Sequence, residues 1–162
     1  MNRVYISLGG NIGDKRANFK QVREIIAAQF GNILEESSLY ETPPWGFCSE
    51  NYFWNQAMCI ETEFEADEML LRFKEIEKSF GQKSMDERYT DRAMDLDILY
   101  FGNVVIESEV ITIPHPRIQE RKFVLIPLVE IAPDFIHPCL QKTNFELLEQ
   151  CKDRSVVKKI KV

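Results

Sequence analysis

Apolar and polar positions alternate at the start of the chain. Val4, Ile6 and Leu8 are interleaved with Tyr5 and Ser7, which predicts an opening strand. The run from Gly9 through Gly10, Asn11, Ile12 and Gly13 to Asp14 is rich in residues that tolerate positive φ and reads as a turn. Phe19, Val22, Ile26 and Phe30 then recur on one face of a helix predicted over residues 15–30, which Gly31 ends. Residues 33–40 read as a strand, and Thr42-Pro43-Pro44-Trp45-Gly46 breaks it into a loop. The stretch 51–62, rich in aromatic and β-prone residues, predicts a second long strand.

Met69, Phe73, Ile76 and Phe80 mark the buried stripe of a second helix over residues 66–80. Residues 82–92 are charged and without periodicity, and are expected to form a mobile loop. A strand follows over residues 94–101, then a turn at Gly102-Asn103 and further β-structure to residue 113. Pro114-His115-Pro116 excludes regular helix or central strand. Residues 125–131 predict a short helix with Pro127 near its start. Thr143 and Glu146 have the spacing of a capping box that opens another helix to residue 152. Residues 157–162 predict a last strand with Lys159 and Lys161 facing water.

Without the tail, the order is β-α-β-β-α-β. This predicts an α+β, ferredoxin-like architecture: an antiparallel sheet, two main helices on one face and additional C-terminal helices. The opposite face is left for loops and ligand. The length of 162 residues suits one domain spanning 1–162. The chain contains no apolar run long enough to span a membrane, and its first residues turn polar too soon for a signal peptide, so it is expected in the cytoplasm. Cys48, Cys59, Cys139 and Cys151 form no C-x-x-C pair, and reduced thiols are expected. A net charge of −6 argues against a broad nucleic-acid surface. An acidic chain that binds a compact polyanion must concentrate its Arg and Lys locally.

Asp95 and Asp97 are two apart on a predicted strand and so share one side, with Met94, Leu96 and Ile98 on the other. Two carboxylates this close repel unless a cation lies between them, and hard oxygen ligands suit Mg²⁺. An ordinary solvated strand face has the same spacing. Arg88 and Arg92 precede this strand; His115, Arg117, Arg121 and Lys122 follow the next β-structure. Together they have the composition of a polyphosphate clamp or of scattered surface charges. Trp45, Tyr52, Phe53, Trp54, Tyr89 and Phe123 fall near loops and strand ends. They are placed either to pack the core or to stack a flat heterocycle, with Asn55 nearby as donor and acceptor.

These features resemble the 6-hydroxymethyl-7,8-dihydropterin pyrophosphokinase family. The residues that carry the likeness are Tyr40-Glu41-Thr42-Pro43-Pro44, Asn55, Arg92-Ala93-Met94-Asp95-Leu96-Asp97-Ile98-Leu99, Phe101-Gly102 and Pro114-His115-Pro116-Arg117, continuing through Arg121-Lys122-Phe123. The resemblance implies a folate-pathway enzyme that moves pyrophosphate from ATP to the hydroxymethyl group of a dihydropterin, releasing AMP. It implies two Mg²⁺ ions on Asp95 and Asp97 and catalytic roles for Arg92, Asp95, Asp97, His115 and Arg121. ATP contacts are expected from Glu77, Arg88, Arg92, Ile98, His115 and Arg121. Pterin contacts are expected from Thr42, Pro43, Pro44, Trp45, Phe53, Asn55, Asp95 and Phe123. A monomer is the family expectation. The chain departs from the family pattern at Lys74, Gln82, Ser84, Tyr89, Thr90, Asp91 and Val110. Two other classes share some of these features: a metal-dependent nucleotidyltransferase acting on nucleic acid, and a non-catalytic pterin- or nucleotide-binding module.

Overall fold

The computed structural model describes residues 1–43, 51–81 and 92–160. Strand β1 (Asn2–Gly10) leads into helix α1 (Lys15–Gln29), whose first turn is capped by the Asp14 carboxylate accepting from the Ala17 N–H at 3.1 Å. Strands β2 (Gly31–Glu36), β3 (Tyr40–Thr42) and β4 (Phe53–Thr62) follow, then helix α2 (Ala66–Ser79) and strand β5 (Asp95–Phe101). A hairpin of β6 (Ile106–Glu107) and β7 (Thr112–Ile113) comes next, then a 3₁₀ turn at Ile118–Glu120. Helices α3 (Lys122–Ile131) and α4 (Asn144–Gln150) and a short β8 (Lys158–Lys159) close the chain.

Among the described residues the main sheet runs β5-β1-β4-β3-β8, with β2 also on β4, and its pairings are antiparallel. This is the expected ferredoxin-like order. Even-numbered residues of β1 (Val4, Ile6, Leu8) face α1 and α2 in one core, with Met58, Ile60, Leu96 and Ile98. Tyr5, Cys59 and Tyr100 face the other way and pack under α3 and α4 in a second core with Leu125, Leu128 and Leu147. The second face is therefore not left open along its whole length, as the element order implied. The C-terminal helices cover the end around Tyr5, and only the end around Ser7 and Gly9 remains for a site.

Other boundaries differ for identifiable reasons. The strand predicted over residues 33–40 is two strands, because the buried Ser37 hydroxyl accepts from the Ala57 N–H at 2.9 Å while Gln56 donates to the Ser37 carbonyl. A serine side chain standing in for the backbone interrupts the ladder. Gly9 and Gly10 belong to β1 rather than to a turn, which starts only at Asn11. Helix α3 starts three residues earlier than predicted, and Pro127 lies inside it rather than near its start. Its first amide, Lys122 N–H, is held at 3.1 Å by the Asp153 carboxylate from the far end of the chain. The Thr143 capping box is formed on both sides, as its spacing predicted. Residues 82–91 of the expected loop and Lys161 lie outside the described residues. No helix among the described residues is long and apolar enough to cross a membrane.

Candidate active site

The cross-strand register places the site. Tyr40 pairs with Asn55, Asn55 with Gly9, and Gly9 with Asp95, so one row crosses β3, β4, β1 and β5 on the face that α3 only partly covers. The next row is Ala57, Ser7 and Asp97. Strands lie about 4.8 Å apart, so Asn55 and Asp95 start about 10 Å from each other across the row. Between them Gly9 carries no side chain; a Cβ there would come within 3.0 Å of the Asn55 Oδ1. The result is a floor cleared of side chains, with an amide at one end and an acid pair at the other.

A cavity of about 280 Å³ stands on this floor. Thr42, Pro43, Phe53, Asn55 and Phe123, five of the residues named above for pterin contact, line one side of it. Arg92, Asp95, Asp97, His115 and Arg121 line the other. Asn55 is buried, and its Nδ2 has no hydrogen-bond partner among the described residues. An unsatisfied buried amide costs free energy unless something else accepts from it, so it marks a place for a ligand acceptor. The Arg121 guanidinium lies 5.7 Å from the Phe123 ring centroid, which joins the basic and aromatic walls.

The charges are tightly coupled. Burial and the neighbouring Asp95 push the Asp97 carboxyl up to about 7, against the pull of Arg121 and Arg92. Arg92 Nη1 is 3.4 Å from Asp95 Oδ1. Glu77, on α2, does not line the cavity; its Oε2 accepts from the Leu96 N–H at 2.8 Å, and its carboxyl, pushed up to about 8 by burial and then by Asp95, bonds to Asp95. His115 is held down to about 4 by burial, then by the Arg121 charge. Its Nδ1 accepts from the Arg117 N–H at 3.1 Å, which puts the ring proton on Nε2 and makes a neutral donor.

The alternation read from the sequence holds at Ile98. The Ile98 side chain is in the core on the opposite face. Only its backbone is available: Leu96 N–H points away from β1 towards Glu77, and by alternation the Ile98 N–H and C=O share that outer edge. Of the aromatic candidates, Trp54 packs towards α1 beside Phe19 and donates to Glu41 instead of facing the cavity. Tyr52 is largely exposed. Pro44, Trp45, Arg88 and Tyr89 lie outside the described residues. Ser7, Gly9 and Val124 line the cavity and were not foreseen. The signal for the first two was present in their placement: they alternate with core residues on the opening strand and are small.

No group of three or more His, Cys, Asp or Glu stands ready as a metal cage among the described residues. The Asp95–Asp97 pair nevertheless suits Mg²⁺, which is commonly held by one or two carboxylates together with substrate phosphates rather than by an all-protein cage. Burial, and after it the charge of Asp95, raise the Asp97 carboxyl, and a cation between the two acids would favour its charged form.

A ferredoxin-like fold hosts many functions, and this divided cavity suits a small transferase. Residues 5–133 match the model of the family described as 7,8-dihydro-6-hydroxymethylpterin-pyrophosphokinase, and the chain belongs to that family. It is a pyrophosphokinase of folate biosynthesis. It is 38% identical to the 2-amino-4-hydroxy-6-hydroxymethyldihydropteridine pyrophosphokinase of Methylorubrum extorquens, over 84% of this chain and 86% of that protein. Identity to the enzyme of the same name from Aquifex aeolicus is 34%, covering 88% of each. Among solved structures, Plasmodium falciparum HPPK-DHPS with pteroate superposes with a TM-score of 0.73 at 17% identity. That match covers 92% of this chain but 42% of the solved one, and it supports the fold.

Proposed function

We propose that this enzyme transfers the terminal diphosphate of Mg·ATP to the hydroxymethyl oxygen of 6-hydroxymethyl-7,8-dihydropterin, releasing AMP. The observation that carries the reading is the row from Asn55 to Asp95, with Gly9 clearing the floor between them. The pterin lies on that floor. Asn55 meets its amide-like edge, and Phe53 and Phe123 bound its ring. Its hydroxymethyl group then points at the acid end.

Asp95 and Asp97 would hold Mg²⁺, whose charge would offset that of the phosphates and favour loss of the hydroxyl proton. Arg92, Arg121 and the neutral His115 Nε2–H grip phosphate oxygens, with the Ile98 backbone edge and Glu77 on the nucleoside side. The hydroxyl oxygen attacks the β-phosphorus, the bond from that phosphorus to the α-bridging oxygen breaks, and AMP leaves with that oxygen. The hydroxyl proton passes to solvent. Positioning and fixed charges do most of the work. Residues 1–162 act as one domain in this reading, supported by strands from both ends of the chain meeting in one sheet.

The test is product analysis with the whole chain. AMP forms from ATP in equal amount to pterin diphosphate, and only with Mg²⁺ and the hydroxymethyldihydropterin both present. Release of ADP, or AMP release indifferent to the pterin, overturns the reading.

Phe123→Ala is expected to weaken pterin binding by about 0.5–1.5 kcal/mol from lost stacking, plus lost burial, with ATP-analogue affinity retained. Calorimetric titration of each ligand checks it. An unchanged pterin affinity removes Phe123 from the pocket wall.

A further inference from the structure

Glu130 stands outside the cavity, yet it is tied to the strand that carries one of its walls. Its Oε2 accepts from the Ser38 N–H at 3.0 Å and the Ser38 hydroxyl at 3.2 Å. Its Oε1 accepts from the Tyr40 hydroxyl. These bonds join α3 to the start of β3 across 90 residues of sequence.

The positions of the two partners matter. Glu130 comes two helical turns after Phe123, so both lie on the same face of α3. Tyr40 comes two residues before Thr42, so both lie on the same side of β3. Tyr40 is also the direct cross-strand partner of Asn55. Each end of the Glu130–Tyr40 bond is thus one repeat away from a residue lining the ring slot: Phe123 on the helix, Thr42 on the strand. Tyr40 is buried, and a buried phenol needs its partner to stay in place.

We propose that Glu130 is a positioning residue. Through Tyr40 and Ser38 it fixes the separation of β3 from α3, and with it the width of the slot between Thr42 and Phe123 before any ring enters. The inference rests on the pterin reading of the cavity given above. A preset slot lowers the ordering cost of binding a flat ligand, while the phosphate end, built on β5 and the residues before α3, is not held by this strut.

The test uses the whole chain with two probes, 6-hydroxymethylpterin and α,β-methylene-ATP with Mg²⁺, each titrated at a temperature well below unfolding. Glu130→Gln keeps the shape and removes the charge; Tyr40→Phe removes one hydroxyl and keeps the ring. Each variant is expected to weaken the pterin probe at least about fivefold, the worth of one hydrogen bond. The nucleotide probe should change by no more than about twofold, as for an independent site. The double variant should lose less pterin affinity than the two single losses added together, because both single variants break the Glu130–Tyr40 bond that they share. Three results overturn the strut: a lowered melting temperature with unchanged pterin affinity, equal weakening of both probes, or additive losses in the double variant. Failure of the unaltered enzyme to bind 6-hydroxymethylpterin overturns the pterin reading itself and takes the strut with it.

Discussion

Asp97→Ala is expected to lower turnover by at least about 100-fold, since a carboxylate in the metal-holding role proposed for it contributes several kcal/mol to stabilising transferred phosphoryl charge. The second half of the expectation concerns stability. Burial and the charge of Asp95 raise the Asp97 carboxyl to about 7 in the folded chain. The fold therefore binds this proton more tightly than the unfolded chain does. Stability from this group falls as pH rises from about 4, the ordinary carboxylate value, to about 7. Removing the acid relieves that strain, so metal-free Asp97→Ala should melt no lower than the unaltered protein above pH 7. The pair of results separates a functional acid from a structural one, which would lose stability when removed. Asp97→Asn, of nearly the same shape, should show the same inactivity. Initial rates of AMP formation and thermal melts in EDTA measure both. Near-normal turnover in either variant would remove the metal role.

The parts of this site carried by local pattern were legible in the sequence. Asp95 and Asp97 share a face because a strand repeats every two residues, and Met94, Leu96 and Ile98, which alternate with them, are buried as that period requires. Contacts between distant residues were not legible. Nothing in the local pattern of residues 33–40 shows that the Ser37 hydroxyl would take over a ladder bond from Ala57. Nothing near Lys122 shows that Asp153 would cap the start of α3. The covering of half the second face by α3 and α4 follows from the same kind of long-range packing. Trp54 shows the limit for aromatic residues: its type fitted core packing and stacking alike, and its parity on β4 turns it to the α1 side. Parity also explains the cavity floor. Gly9 and Asn55 are register partners, and register is a property of the pairing of two strands rather than of either alone.

Gly10→Ala should be the most damaging small substitution near the site. A Cβ on Gly10 would lie 2.3 Å from the Ala93 carbonyl oxygen and 3.0 Å from its carbon, closer than any packed side chain tolerates. Neither side can yield cheaply. Gly10 is paired with Trp54 at the end of β1, and the opposing segment is pinned by two bonds to Asn11. The Asn11 N–H donates to the Arg92 carbonyl at 2.8 Å, and the Asn11 Oδ1 accepts from the Arg92 N–H at 2.7 Å. Relief requires moving Ala93, which sits between Arg92 and the acid strand. Overpacking of this kind costs about 1–3 kcal/mol of stability. A displacement of about 1 Å at Arg92 and Asp95 is enough for about a 100-fold loss of turnover. Gly9→Ala provides the contrast. Its Cβ faces the opposite way and meets the tip of a side chain, Asn55 Oδ1 at 3.0 Å, which can give. Gly9→Ala should keep nearly the original melting temperature and weaken the pterin instead of turnover at saturation. Melting curves with separate KM and kcat values for the two variants read this out. A Gly10→Ala enzyme with unaltered stability and turnover would show that Ala93 does not stand against β1, and that the phosphate side of the cavity is not anchored there.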